Sequence, residues 1–396
     1  MLKIRKISIL VWNLSTNDGI IRATLLGEAL KRLGYEIEII GFIFGQKLYK
    51  ATPDGWKIIT VKGTNYPGFL KSSWELLKKI DGDLIYAIKP QPASYGIALL
   101  KKLFKRVPVI LDIDDWELSW HGGDEWKYRP SLKQFARDIL KPEGALRRPE
   151  HPLYLKWMEN LINQADAITV HTQFLYERFG GIFVPNGKDI ELFNPDKYDS
   201  QKSKVHYNLS GYRTLMFPGA PRPYKGVEDV LIALDKLNQP DLKLVIVGGS
   251  PYDDYDDKLI EKWGNRIIKL TNYPANVMPE IVAAADIIVV PQRDNSAARA
   301  QFPLKITDGM AMAKPVLATK VGDIPKILGG TGYLVEPSSP EQIAEKIEWI
   351  FQNLEEAQEK GKQARERCVK YYSIDTMSAI LAEIIQGLEP KRSKIY

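Results

Sequence analysis

Apolar runs of strand length alternate with segments of helical periodicity along most of this 396-residue chain, and that alternation restricts the fold more than any motif does. Near the N-terminus, KISILVWN is followed by GIIRATLLGEALKRLG, with apolar residues at helical spacing, and then by YEIEIIGF. Further strands are expected at DLIYAI, VPVILDI and AITVHT, with ASYGIALLKKLFKR as the helix between the first two. The second half repeats the order with TLMFPG, a helix after Lys225, KLVIVGG, IIKLT, DIIVVP and PVLAT. Strand, helix, strand in repetition predicts parallel sheets with helices on both faces, an α/β doubly wound fold. The length exceeds one ordinary core and suits two such domains. The polar stretch NPDKYDSQKSKVHYNLSG lacks periodicity and marks the link, giving an N-terminal domain over residues 1–200 and a C-terminal domain over 201–372. From Pro340 the chain reads as helix to its end, with residues 373–396 as a last separate helix.

Composition removes several classes. Hydrophobic residues are 44% and charged residues 26%, ordinary for a globular protein. No apolar run reaches the roughly 18 residues of a spanning helix. MLKIRKISILVWN enters a strand instead of forming a cleavable signal, so a cytoplasmic location is expected. Cys368 is the only cysteine, which forbids an internal disulfide and offers no metal-ligand cluster. Net charge is +6, with Lys101, Lys102, Lys105 and Arg106 close together and further cations at Arg147, Arg148 and the terminal KRSK. These are either solvated helix ends or a surface for acidic phospholipid headgroups at the inner face of the plasma membrane. No basic stripe with interleaved aromatics is present, so nucleic acid is not expected as a partner.

The run FPGAPRPYKG, Phe217 to Gly226, carries the clearest ligand chemistry. A Gly-rich turn holding Gly219, Arg222 and Lys225 leads straight into the helix VEDVLIALDKL. Unpaired N–H groups and partial positive charge at a helix start, with two full cations added, suit a diphosphate. Simple helix capping is the competing reading. Gly248 and Gly249, at the end of a buried strand, would let a ligand approach closely, though a turn explains them as well.

Several linked segments occur in one order: VPNGKDIELFNP, KLVIVGG, AADIIVVPQ and FPLKITDGMAMAKPVLATKVGDIPKILGGTGYLVEP. Together they resemble the retaining GT-B glycosyltransferases of the family-4 group. The resemblance implies two Rossmann-like domains facing across a cleft, with a nucleotide-sugar donor in the C-terminal domain and the acceptor in the N-terminal one. It also implies that the last helix returns to the N-terminal domain. The family's pattern of two glutamates separated by seven residues puts its second acidic position on Asp308 and its first on Ala300. Asp308 would then hold the nucleotide ribose, and the backbone N–H groups of Leu304 and Lys305 would meet the diphosphate. The family's phosphate-binding Arg and Lys fall on Arg222 and Lys225. No metal or other cofactor is implied, because cations and helix N-termini supply the charge that a departing diphosphate needs.

In the N-terminal half, relatives place a His after the strand that here ends in LDIDDWE. Asp112, Asp114 and Asp115 stand there instead, and at least one of the three, Asp114 and Asp115 foremost, is a candidate to orient an acceptor hydroxyl or take its proton, against a hydrogen-bonded loop carboxylate cluster. Asp18 and Gly19 form the strand-to-helix turn where relatives carry two glycines, and its amides can meet acceptor or donor phosphate, with a purely structural turn as the equal alternative. Trp116 and His121 lie in WELSWHGGDEWKYRP and are candidates for acceptor contact, against core or interfacial tryptophan. The expected activity is transfer of a sugar from a UDP- or GDP-sugar to a glycan, lipid-linked or small-molecule acceptor. Two alternatives stay open: a non-catalytic nucleotide-sugar-binding subunit, and a GT-B-like sugar-nucleotide epimerase. Neither half has the Gly-x-Gly-x-x-Gly fingerprint after its first strand, which disfavours a Rossmann oxidoreductase.

Overall fold

The computed structural model describes residues 4–16, 19–49, 55–250 and 253–389. The chain divides into two compact units, one running to Asn186 and resuming at Ile374, the other spanning Gly187–Ser373. The expected division at 200/201 therefore moves upstream to 186/187. The reason is local. The Lys188 N–H donates to Tyr372 O at 2.7 Å, and Phe193 is buried in the core of the second unit, so this stretch is part of that unit and not a linker.

The first unit contains β1 (Lys6–Val11), α1 (Ile20–Arg32), β2 (Glu36–Ile43), β3 (Lys57–Lys62), α2 (Gly68–Lys79), β4 (Leu84–Ile88), α3 (Ile97–Lys105) and β5 (Val109–Ile113). It continues with α4 (Leu132–Leu140), α5 (Pro152–Asn160), β6 (Ala167–Val170), α6 (Gln173–Phe179) and β7 (Ile182–Phe183). Its seven strands pair in parallel in the order β3-β2-β1-β4-β5-β6-β7. β4 and β5 are buried at every residue, as strands covered by helices on both faces must be.

The second unit contains α7 (Ser200–His206), β8 (Arg213–Pro218), α8 (Val227–Leu237), β9 (Leu242–Val247), α9 (Tyr255–Trp263), β10 (Ile267–Leu270), α10 (Met278–Ala283) and β11 (Ile287–Val290). After these come α11 (Ser296–Ala300), α12 (Leu304–Ala311), β12 (Val316–Thr319), α13 (Ile324–Leu328), β13 (Tyr333–Val335), α14 (Pro340–Gln352) and α15 (Leu354–Tyr372). Six parallel strands run β10-β9-β8-β11-β12-β13. In both sheets the order reverses beside the unit's first strand, between β1 and β4 and between β8 and β11. Loops leaving the carboxyl ends of strands at such a reversal form the ligand crevice of this sheet type.

The last helix, α16 (Ile374–Leu388), belongs to the first unit. Met377, Leu381, Ile384 and Ile385 enter the core that α1 covers, and the Ser378 hydroxyl donates to Ala29 O at 2.9 Å.

Candidate nucleotide-sugar site

The turn after β8 is built around two glycines that no other residue replaces without strain. Gly219 has φ +146°, and a Cβ there would stand 3.0 Å from both Cε and Nζ of Lys305. The missing side chain is what lets the Lys305 ammonium lie over the turn. Gly226 has φ +67°, and a Cβ would come within 1.9 Å of Pro291 O, so the turn closes tightly on the strand exit of β11. Arg293 secures the same junction. Its N–H donates to Tyr224 O at 2.8 Å, and its guanidinium bonds Asp229 at 2.8 and 3.1 Å and Glu228 at 3.1 Å. The two loops that flank the β8/β11 reversal are thereby held as one piece.

Arg222, Lys225 and Lys305 converge on this turn. The Lys225 ammonium donates to Ala220 O at 3.0 Å, and Lys305 lies 4.7 Å over the Phe217 ring. No ion pair within 4 Å reaches either lysine among the described residues. Burial pushes Lys225 down to about 6, and repulsion from Lys305 and Arg222 adds to the fall. Burial likewise pushes Lys305 down to about 8, against a counter-pull from Asp308. A cluster of cations that repel one another in a partly dehydrated turn is an anion site by its electrostatics. Lys305 and Leu304 open α12, whose first-turn N–H groups lack helical partners, with Pro303 at the cap position.

Asp308 falls on α12 as expected, and its carboxylate is paired with Lys188. Lys188 also sits 4.3 Å over the Phe193 ring. Lys188 was not singled out in the sequence, although the quoted segment VPNGKDIELFNP contains it. Its signal is a Lys beside an Asn-Gly turn, which says nothing about a partner 120 residues away. Ala300 ends α11 with no exposed surface, so no carboxylate stands at the family's first acidic position. Gln292, after β11, is 5% exposed, and its side-chain oxygen has no hydrogen-bond donor. Such a buried orphan calls for a partner that only a ligand or water would bring. Gly248, with φ +91°, and Gly249 stand at close internal approaches. A Cβ on Gly248 would meet Asn272 Oδ1 at 2.6 Å, and one on Gly249 would meet Asp256 Oδ2 at 2.6 Å.

The first unit corrects two expectations. Asp112 is not available to a substrate: Arg22, 4% exposed, bonds both its oxygens at 2.9 Å, and the Thr169 hydroxyl adds a third bond at 2.6 Å. The same guanidinium reaches Val184 O, Pro185 O and Asn186 Oδ1, fixing the segment that leaves β7. Trp116 is not an exposed stacking surface. It is 5% exposed, with the Arg178 guanidinium 3.9 Å over its ring and Gly123 so close that a Cβ would sit 2.7 Å away. Asp115 accepts from the Trp116 N–H at 2.8 Å and from the Trp120 indole at 3.0 Å, which organises its own loop. Asp114 follows β5 at the carboxyl edge of the sheet, and His121 is exposed at the end of a short 3-10 turn. Gly19 has φ +83° and packs on Val11 at the start of α1, while Asp18 lies outside the described residues.

Two parallel-sheet α/β units of this kind define the GT-B class of structures. Superposition agrees: Anabaena HepE in complex with UDP and glucose matches with a TM-score of 0.74 at 19% identity, covering 96% of this chain and 99% of that one. A glycosyltransferase from Rickettsia africae matches at 0.73 and 20% identity, covering 98% and 100%. Residues 21–192 match the model of Glycosyltransferase Family 4, and residues 212–353 that of Glycosyl transferases group 1. The chain belongs to the group 1, family-4 type of glycosyltransferases. Among curated relatives, a GDP-mannose-dependent α-(1-6)-phosphatidylinositol monomannoside mannosyltransferase of Mycolicibacterium smegmatis is 26% identical over 246 residues. That match takes in 58% of this chain and 64% of the relative's length. N-acetyl-α-D-glucosaminyl L-malate synthase of Bacillus anthracis is 24% identical over 375 residues, 91% of each chain.

Proposed function

We propose that the chain transfers a hexosyl group from a UDP- or GDP-sugar to an acceptor hydroxyl, with retention of anomeric configuration and without a metal ion. The observation that carries the reading is the convergence of Lys225 and Lys305 on Gly219, where two half-buried lysines have no carboxylate ion pair among the described residues. In this reading the donor diphosphate lies on the Gly219 turn and is held by Arg222, Lys225, Lys305 and the first N–H groups of α12. Asp308 takes the ribose, and Gln292 offers its oxygen to a hydroxyl of the donor. As the glycosidic bond to phosphate breaks, negative charge grows on the diphosphate and the cations stabilise it. Front-face attack lets the departing phosphate oxygen accept the acceptor's proton, so no strong protein base is required. We assign acceptor orientation to Asp114, which follows β5 at the carboxyl edge of the sheet, and acceptor contact to Gly19 and His121.

The acceptor class is a glycan, a lipid-linked sugar or a small hydroxy compound. Relatives that name a phosphatidylinositol mannoside and malate span that range. The buried methyl of Ala300 also favours a second reading, a subunit that binds nucleotide sugar without turnover. A panel of UDP- and GDP-sugars, incubated with candidate acceptors in excess chelator, separates the two. Product of unchanged anomeric configuration by NMR supports transfer. Donor binding with no product supports the second reading, and product that forms only with magnesium or manganese overturns metal independence.

A further inference from the structure

α4 is built inside out. Leu132, Phe135 and Ile139 fall at spacings of three and four, which aligns them on one face, and that face is exposed: 90%, 44% and 44% respectively. Leu140 beside them is 76% exposed. The inward face is polar. Asp138 is 3% exposed and accepts from Tyr128 OH at 2.7 Å and from the Gln134 amide at 2.9 Å. An amphipathic helix that turns its apolar side away from the protein has no stabilising partner within its own unit. Exposed cations accompany it: Lys133 and Arg137 on the helix, the latter bonded to Gln134 Oε1 at 2.6 Å, and Lys141 at its C-cap.

A second exposed apolar surface belongs to the same unit. Trp74 on α2 and Phe104 on α3 are 54% and 60% exposed and meet edge to face at 6.3 Å, with Leu70 and Leu103 also exposed. α2 and α3, with the cap residue Arg106, carry seven cations and one carboxylate, Glu75. Lys101 and Lys102 are engaged, on Leu77 O and Ile80 O and on Asp166, so the outward charge comes from Lys71, Lys78, Lys105 and Arg106. The Tyr66 N–H donates to Arg147 O at 2.7 Å, and Arg147 Nε donates to Tyr66 O at 2.6 Å. This pairing ties the segment before α2 to the turn after α4.

We infer that the α4 face, with the aromatic pair of α2 and α3, docks on the surface of an anionic lipid bilayer. The α4 stripe sinks into the boundary between headgroups and acyl chains, and the exposed cations of the helix and its C-cap meet the phosphates. Charge complementarity selects this occupant. A second copy of the chain would bring the same cations against one another. No helix among the described residues is long and apolar enough to cross a membrane, so contact would be peripheral. The inference goes beyond the donor site and does not depend on it.

The test is sedimentation of the full chain with phosphatidylcholine vesicles, with and without phosphatidylglycerol, in the absence of nucleotide sugar. Binding to the anionic vesicles alone, weakened by salt, is expected. Leu132→Ser with Phe135→Ser should lower partitioning at least about tenfold. Each of Lys133→Gln, Arg137→Gln and Lys141→Gln should lower it about fivefold. All these positions are on the surface, and unchanged thermal midpoints would show that the variants fold. As a second readout, Leu132→Cys carrying an environment-sensitive dye should shift to the blue on anionic vesicles only; Cys368 is buried and will not compete for label. Equal binding to neutral vesicles, no binding to either, or a dimer in solution that Phe135→Ser disrupts would overturn the proposal.

Discussion

Lys225 is where chemistry and backbone geometry meet most closely. The glycines on either side of it shape the turn, and burial beside Lys305 and Arg222 holds its pKa near 6. Its folded value therefore lies below the unfolded one, so between about pH 6 and 10.5 the unfolded chain binds more protons. Stability of the ligand-free protein should rise with pH across that window. A bound diphosphate reverses the preference by favouring the ammonium, so binding takes up protons and affinity falls as pH rises. Titration calorimetry of a nucleoside diphosphate at pH 8 in two buffers of different ionisation enthalpy should report net proton uptake by the protein. Identical enthalpies in both buffers would remove Lys225 and Lys305 from the site.

Elements position these residues through contacts that the local sequence does not announce. Arg22 on α1 and Asp112 on β5 form a buried bidentate pair that also holds the exit of β7. Arg22→Met leaves a buried carboxylate without its partner and should cost about 3–5 kcal/mol in unfolding free energy. Arg22→Met with Asp112→Leu should recover much of that loss. A single variant as stable as wild type by denaturant unfolding would contradict the assignment. The strands that were legible, such as DLIYAI and VPVILDI, are continuous apolar runs flanked by turns, and burial on both faces requires such runs. β3, β7 and β13 went unnamed because KIITVK mixes charge with apolar residues at a sheet edge, and two- or three-residue strands carry no period. The same limit applies to α4, whose periodicity is plain but whose orientation depends on Tyr128 and Asp138.

At the scale of the molecule, the chain crosses from the first unit to the second after Asn186 and back after Ser373, so the second unit is one continuous stretch and the first is built from two. The returning helix α16 was legible by resemblance, and the Gly219 turn by its residues alone. Trp116 shows the complementary failure, since a tryptophan in a Gly-rich loop reads as a sugar platform until the fold puts Arg178 and Gly123 against it. The family assignment implies a donor site in the second unit, and the central claim is that Lys225 and Lys305 form its diphosphate subsite. The most direct test is calorimetry of UDP and GDP with wild-type protein, Lys225→Ala and Lys305→Ala. At least one nucleotide should bind wild type, and each substitution should weaken it by about 1.5–3 kcal/mol, roughly ten- to a hundredfold. Folded variants that keep wild-type affinity would contradict the account.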